Sequence, residues 1–222
     1  MKALATFFGL SFAALFPVVN PVGSALILLG IVGAEPANVY RRLAKSIAIS
    51  TALFLLAVQA AGAAVLKVFG ISLPVMQLAG GLVLALMGWR LLNQSDPQPT
   101  NGKHPVERET FDASLQDSVF YPLTFPMTAG PGCVVVTMTL SAHASRQNAM
   151  SALEAHSGLA LAIVVLSALV FICYGHAPAI TARIRAQTAH GILRVIAFLL
   201  MCIGVQIMWN GAEALVKTLL PA

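Results

Sequence analysis

The stretch ALAIVVLSALV at positions 160–170 decides the fold class of this chain. Its residues are aliphatic or small throughout, and apolar residues do not alternate with polar ones as they do in the strands of a membrane barrel. Outward from this stretch, positions 155–182 hold no Asp, Glu, Lys or Arg. A helix needs about 20 apolar residues to cross a bilayer, so the pattern predicts a transmembrane α-helix.

The same pattern recurs along the whole chain. Of the 222 residues, 58% are hydrophobic and only 9% are charged, whereas soluble domains carry about 25% charged residues. This small number of charged residues cannot solvate the surface that a folded chain of this size exposes. We therefore expect the chain to lie in the lipid bilayer. The sequence predicts an all-α membrane protein with six transmembrane helices. The five other charge-free stretches are 3–34, 46–66, 68–89, 118–145 and 195–212.

The charged residues divide the chain into three parts. They concentrate between the third and fourth charge-free stretches, where Pro97, Pro99 and Gly102 also disfavour a helix. We therefore predict a first three-helix repeat at 1–93, a cytoplasmic connector at 94–117 and a second three-helix repeat at 118–222.

Lysine and arginine predict the orientation, because they collect on the cytoplasmic side of membrane proteins. If the helices cross the membrane in turn, one side carries nine basic residues and the other carries four. Both termini lie on the side with four and are expected to be periplasmic. The nine are Arg41, Arg42, Lys45, Arg90, Lys103, Arg108, Arg183, Arg185 and Arg194, and the four are Lys2, Lys67, Arg146 and Lys217.

Two clusters of proline and glycine interrupt the first charge-free stretch of each half. PVVNPVG at 17–23 and PLTFPMTAGPG at 122–132 both place prolines four residues apart and follow them with glycine. The third stretches also correspond, with 71–89 over 191–209, and both end on tryptophan. Each half has three helices, an odd number, so the second half must be inverted relative to the first. The sequence predicts two inverted repeats, each with an interrupted first helix.

Interrupted helices at matching positions indicate a transporter substrate site. Free N–H groups at the N-terminus of a half-helix attract a carboxylate, and freed carbonyls accept from an ammonium group. No acidic residue lies within a predicted membrane core, so a small zwitterion fits this chemistry. The predicted substrate-binding residues are Asn20, Pro21, Gly23, Ser24, Thr124, Pro126, Thr128, Gly130, Pro131 and Gly132.

Other residue patterns give no sign of an enzyme. The sequence shows no Ser–His–acid set, no metal-ligand spacing and no dinucleotide or phosphate-binding loop. We therefore expect no catalytic residues, no cofactor, no metal and no nucleic-acid partner. Gly80, Gly81 and Gly88 are expected to permit close packing between helices. His176 is more simply an interfacial histidine than a proton carrier.

Five motifs are spread along nearly the whole chain: NPVG at 20–23, FGISLP at 69–74, LAGG at 78–81, PLTFP with AGPG within 122–132, and GVQ with NG within 204–211. Together they resemble the MarC family of small bacterial and archaeal integral membrane proteins, nearly from end to end. The resemblance implies six membrane spans, a location in the bacterial plasma (inner) membrane and a distant relation to the amino-acid exporters of the LysE type. Some members of the family are described as transporters of small neutral amino acids.

These observations favour a secondary transporter that exports small neutral amino acids. Its expected partners are the bilayer and that substrate. Efflux of drugs or other small solutes is the first alternative, and the low aromatic content and uncharged core disfavour it. A non-transporting membrane scaffold is the second, and the interrupted helices disfavour it.

Overall fold

The computed structural model of the chain describes residues 2–33, 35–93, 119–145, 148–179 and 186–219. The predicted connector at 94–117 lies outside these residues. Within them, the regular structure is helical throughout, as predicted. The helices are α1 (Lys2–Val19), α2 (Pro21–Val32), α3 (Ala37–Val68), α4 (Leu73–Leu92), α5 (Val119–Thr128), α6 (Pro131–Ala144), α7 (Ala149–Gly175) and α8 (Ala186–Leu219).

The described helices provide five to six candidate membrane spans. Five are long and apolar enough to cross a bilayer as they stand, and the first of them runs over Leu4–Leu29 and includes most of α1 and most of α2. The sixth candidate is the pair α5 and α6, which is bent by 67° at the break between them. The six predicted spans thus match five single spans plus one bent pair.

Contacts between helix ends define the two sides of the bundle. Ser145, just after α6, hydrogen-bonds to His156 in the second turn of α7, and the backbone carbonyl of His156 accepts from Gln59 in the second half of α3. At the opposite side, Gly175 at the end of α7 packs beside Arg41 near the start of α3. We call the first side the terminal side, because α1 begins and α8 ends there, and the other the connector side.

Helix α7 lies at the centre of the bundle and packs against α1, α2 and α3. Its inward face is aliphatic and fully buried, as at Leu159, Ile163 and Leu166. This burial explains why the stretch that first indicated a helix is aliphatic or small throughout, since lipid and neighbouring helices both surround a membrane helix with apolar groups.

Helices α4 and α8 form a tight antiparallel pair through glycines. A Cβ added at Gly81 would lie 2.6 Å from the Gly204 carbonyl oxygen and 2.8 Å from the Cα of Met208. The neighbouring Gly80 faces α6 instead, and a Cβ there would collide with the side chain of Val135. The predicted role of these glycines in close packing is confirmed, and the adjacent glycines serve two different interfaces.

Gly81→Ala is expected to lower the free energy of unfolding by about 1–3 kcal/mol, the usual cost of forcing extra atoms into a packed interface. The clash is with backbone atoms, which cannot turn aside as a side chain can. Gly191→Ala on α8 is the matched control, because nothing lies within 4 Å of its Cβ position. Thermal unfolding in detergent measures both, and equal stability of the two variants would contradict the packing.

Candidate functional site

The first interruption is a single residue between α1 and α2. Asn20 has φ 45° and ψ 61°, a left-handed conformation that ends α1, and its side-chain oxygen accepts from the Gly23 N–H at 3.1 Å. Pro21 then takes the first position of α2, where its missing N–H costs nothing. Gly23 is needed because a Cβ there would lie 2.7 Å from both the Asn20 Cγ and the Leu193 Cδ2. The NPVG motif is therefore a cap that stops one helix and starts the next.

The second interruption is longer and begins within α5. Tyr121 and Phe125 have extended backbones, each just before a proline, and cis peptide bonds precede Pro122 and Pro126. Gly130, also extended, precedes α6, and no side chain caps the N-terminus of that helix. The two interruptions thus end differently: α2 is capped by Asn20, whereas the first turn of α6 keeps its N–H groups free of any side-chain cap.

Side-chain hydroxyls cap the carbonyls that the interruptions free. Ser24 donates to the Val19 carbonyl at 3.3 Å, in the place of the Gly23 N–H that Asn20 has taken. Thr128 donates to Leu123 at 2.7 Å and follows the same spacing of five residues. Thr124 likewise donates to the Val119 carbonyl at 2.7 Å. The predicted binding hydroxyls therefore hold the backbone of the interruptions themselves.

Tyr174 lies between the two interruptions. Its hydroxyl is 2.7 Å from the Thr128 hydroxyl, and the Ser24 side chain lies beside it. Because Thr128 donates its proton to the Leu123 carbonyl, Tyr174 is the donor in its hydrogen bond to Thr128. All three side chains are at most 5% exposed. One buried hydroxyl in the last turn of α7 thus binds the end of α5 and lies beside Ser24 of α2.

Glycine also brings the half-helices together. A Cβ at Gly132, in the first turn of α6, would lie 3.1 Å from the Val18 Cγ1 in the last turn of α1, and it would collide with Leu84 of α4. A Cβ at Gly130 would lie 2.6 Å from the Pro126 carbonyl oxygen. The start of α6 therefore packs directly beside the end of α1.

The structure places the ten predicted site residues in three groups. Ser24, Thr124 and Thr128 are buried, and their hydroxyls donate to backbone carbonyls of the interrupted segments. A second group shapes the backbone at the breaks and is buried or partly buried. The side chains of Pro126 and Pro131 are exposed. The second group comprises Asn20, Pro21, Gly23, Gly130 and Gly132.

Sequence reasoning missed Tyr174. The signal was a hydrogen-bonding aromatic residue in a span that is otherwise almost wholly aliphatic, since buried tyrosine hydroxyls usually find a partner. The nearby His176 is exposed, and its Nδ1 lies 3.0 Å from the Ile172 carbonyl of its own helix. Within the part of the chain that the structure describes, no group of three or more His, Cys, Asp or Glu residues could hold a metal ion.

Comparison with known proteins identifies the family. The profile of MarC family integral membrane proteins matches residues 5–216, so the chain belongs to the MarC family. It is 29% identical over 214 residues to the UPF0056 inner membrane proteins MarC of Salmonella arizonae and Salmonella typhimurium, and 28% identical to that of Escherichia coli O139:H28. Each alignment covers 95% of this chain and 96% of the relative. No solved structure matches the chain significantly.

Proposed function

We propose that this integral membrane protein of the MarC family is a secondary transporter that exports small neutral amino acids. The observation that carries the proposal is the meeting of two interrupted helices at one buried layer of hydroxyls, Ser24, Tyr174 and Thr128. Interrupted helices in a membrane leave backbone groups that need polar partners. Such a layer has the chemistry of a site for a small polar solute.

The substrate carboxylate fits the N-terminus of α6. No side chain caps this helix, and its first residue, Pro131, has no N–H to donate. The Cys133 N–H donates to the Gly130 carbonyl at 2.9 Å, so the Gly132 N–H and the positive end of the helix dipole are the groups that favour an anion. The N-terminus of α2 lies in the same region, because Val18 of α1 packs against Gly132.

The substrate ammonium fits the carbonyls of the interruptions. The Val19 carbonyl accepts a hydrogen bond of 3.3 Å from Ser24, which is long for a hydroxyl donor. A carbonyl oxygen has two lone pairs, so an ammonium can share or replace this bond. With both ends held by backbone dipoles, the site needs no ionised side chain.

We also propose that the two halves are inverted repeats, which supports a site at their interface. The helix pairs occur in matching sets: α1 packs on α7 as α5 does on α3, and α2 on α7 as α6 does on α3. The α4–α8 pair adds residue-level symmetry. Gly81 packs on Gly204, which follows it by 123 residues. The same offset relates two further contacts, because Gly88 packs on Ala197 and Met201, while Gly211 packs on Pro74 and Leu78. This offset between the two halves is three residues larger than the offset that aligns Trp89 with Trp209.

The orientation with both termini in the periplasm is part of the proposal. It rests on the excess of lysine and arginine on the connector side. In a background without the three native cysteines, a cysteine at Gln98 is expected to resist an impermeant thiol reagent added to intact cells. A cysteine at the C-terminus is expected to react. Labelling at position 98 and not at the terminus would reverse the orientation.

Counterflow in proteoliposomes with labelled alanine tests the substrate class. Glycine, serine and threonine are expected to compete, whereas lysine, glutamate and large aromatic amino acids are not. Propionate and ethylamine, which lack one of the two charged groups, are expected not to compete because each leaves backbone groups unpaired. Liposomes without protein are the control. If a hydrophobic cationic drug competes and no small amino acid does, drug efflux replaces the proposal.

A further inference from the structure

Several side chains inside the bundle are polar, buried and without a hydrogen-bond partner. Thr51 is 1% exposed, Thr137 is 0% exposed and Ser167 is 5% exposed. A buried hydroxyl without a partner costs free energy in a dry apolar interior, and buried polar groups in proteins are nearly always paired, often with water. The atoms without a partner in the described residues are the hydroxyls of Ser11, Thr51, Thr137, Thr139 and Ser167 and the Oε1 of Gln59.

Three of these hydroxyls lie on helix faces that turn toward one another. Thr51 is two helical turns from Ala44, whose Cβ lies 3.8 Å from the Cβ position of Gly175 on α7. Ser167 is two turns from Tyr174 and so shares its face. Thr137 is one turn from Ser141, whose hydroxyl donates to Gln59 of α3. The hydroxyls of α3, α6 and α7 therefore share the space between these helices.

A hydrogen-bonded group lies at the terminal side of this space. Gln59 donates to the His156 carbonyl at 2.9 Å, and its own backbone carbonyl accepts from Ser141 at 3.0 Å. Ser145 lies 3.1 Å from the Nε2 of His156. These four side chains come from α3, from α7 and from the end of α6, so they form a polar mouth where the three helices meet.

The polar residues of α3 and α7 are spaced along the helices between the polar mouth and Tyr174. On α7, Ser167 lies about 16 Å from His156 and about 10 Å from Tyr174, at 1.5 Å per residue. On α3, Thr51 lies about 12 Å from Gln59 in the same direction. Tyr174 itself is in the last turn of α7, so a solute from the terminal side must pass most of the bundle to reach it.

We propose that Thr51, Thr137 and Ser167 line a wetted route that leads from the polar mouth at Gln59 and His156 to the hydroxyl layer at Tyr174. The route serves a small uncharged or zwitterionic solute, since Thr51, Thr137 and Ser167 supply only hydroxyls along it. The inference rests on the proposed transport function and adds the path by which the substrate passes between the site and the terminal side.

Cysteine labelling tests the route without any substrate. In the background without native cysteines, Thr51→Cys, Thr137→Cys and Ser167→Cys are treated with a small hydrophilic methanethiosulfonate reagent, which needs a thiolate and therefore water. Leu53→Cys and Val164→Cys are matched controls, because both side chains lie at similar depth and are 64% and 49% exposed on the outer surface of the bundle. The route cysteines are expected to react at least about tenfold faster than these controls.

A second variant separates a wetted route from a dry core. In a dry core, Thr137→Val removes an unpaired hydroxyl and raises thermal stability. In a wetted route the same change leaves thermal stability equal or lower. Equal labelling of route and control cysteines, or a rise in stability for Thr137→Val, would overturn the route. Fast labelling in a protein that shows no counterflow of alanine would keep the route and remove the proposed substrate.

Discussion

Tyr174→Phe is expected to reduce alanine counterflow by roughly tenfold or more while the protein still inserts into the membrane. The change removes one oxygen atom, and with it the hydrogen bond from Tyr174 to Thr128 of α5, beside Ser24 of α2. A buried hydroxyl left without its partner costs about 1–3 kcal/mol, and about 1.4 kcal/mol corresponds to a factor of ten. The loss falls on the contact between the two interruptions, where the proposed site lies.

Tyr40→Phe is the matched control. Tyr40 is also fully buried, and its hydroxyl donates to the Gly33 carbonyl at 2.6 Å, just after the end of α2. A similar loss of thermal stability is expected for both variants, but only Tyr174→Phe should impair transport. Thr128→Ser keeps the hydroxyl and should keep transport. If the two phenylalanine variants transport equally well, Tyr174 only stabilises the fold.

The helical membrane fold could be predicted from the sequence because lipid imposes a simple rule. Every backbone group in the bilayer core must find a partner within the protein, so an apolar stretch such as 160–170 has few alternatives to a helix. The glycines at 80, 81 and 88 were also predictable, since small residues let membrane helices approach closely. Only the structure shows that Gly80 faces Val135 whereas Gly81 faces α8.

The interruptions were predicted only in part. Proline and glycine located both of them, because proline lacks an N–H and clashes with the preceding turn. The sequence could not show that the first stays within a single candidate span while the second bends by 67°. Nor could it show that Ser24 and Thr128 donate to carbonyls of their own segments. Which carbonyls are left without a helical partner depends on which backbone N–H groups donate to the helix caps.

Asn20 allows the structural role of the first interruption to be separated from its proposed role in binding. Asn20→Gly keeps the left-handed backbone and loses only the side-chain cap, whereas Asn20→Ala loses the cap and also places a Cβ in a conformation that costs about 1–2 kcal/mol. Stability is therefore expected to fall in the order asparagine, glycine, alanine, with a total loss of about 2–3 kcal/mol for alanine. Thermal unfolding measures the order, and an alanine variant as stable as the glycine one would contradict the observed backbone.

Asn20→Asp is expected to keep stability and lose transport. Aspartate caps a helix as well as asparagine does, tolerates the left-handed conformation and adds a negative charge that suits the N-terminus of α2. That same charge would lie close to the N-terminus of α6, where the proposal puts the substrate carboxylate, and like charges repel strongly in a medium of low dielectric constant. Alanine counterflow should fall by at least about tenfold, a penalty of about 1.4 kcal/mol.

Asn148→Asp provides the control for added charge, since Asn148 precedes α7 on the terminal side and makes no side-chain cap. The added charge lies far from the interruptions, because Tyr174, which lies beside them, is at the other end of α7. Normal counterflow in Asn148→Asp together with a loss in Asn20→Asp places an anion-sensitive step at the interruptions. Normal counterflow in both variants means that no substrate carboxylate approaches Asn20, and the zwitterion then binds elsewhere in the bundle.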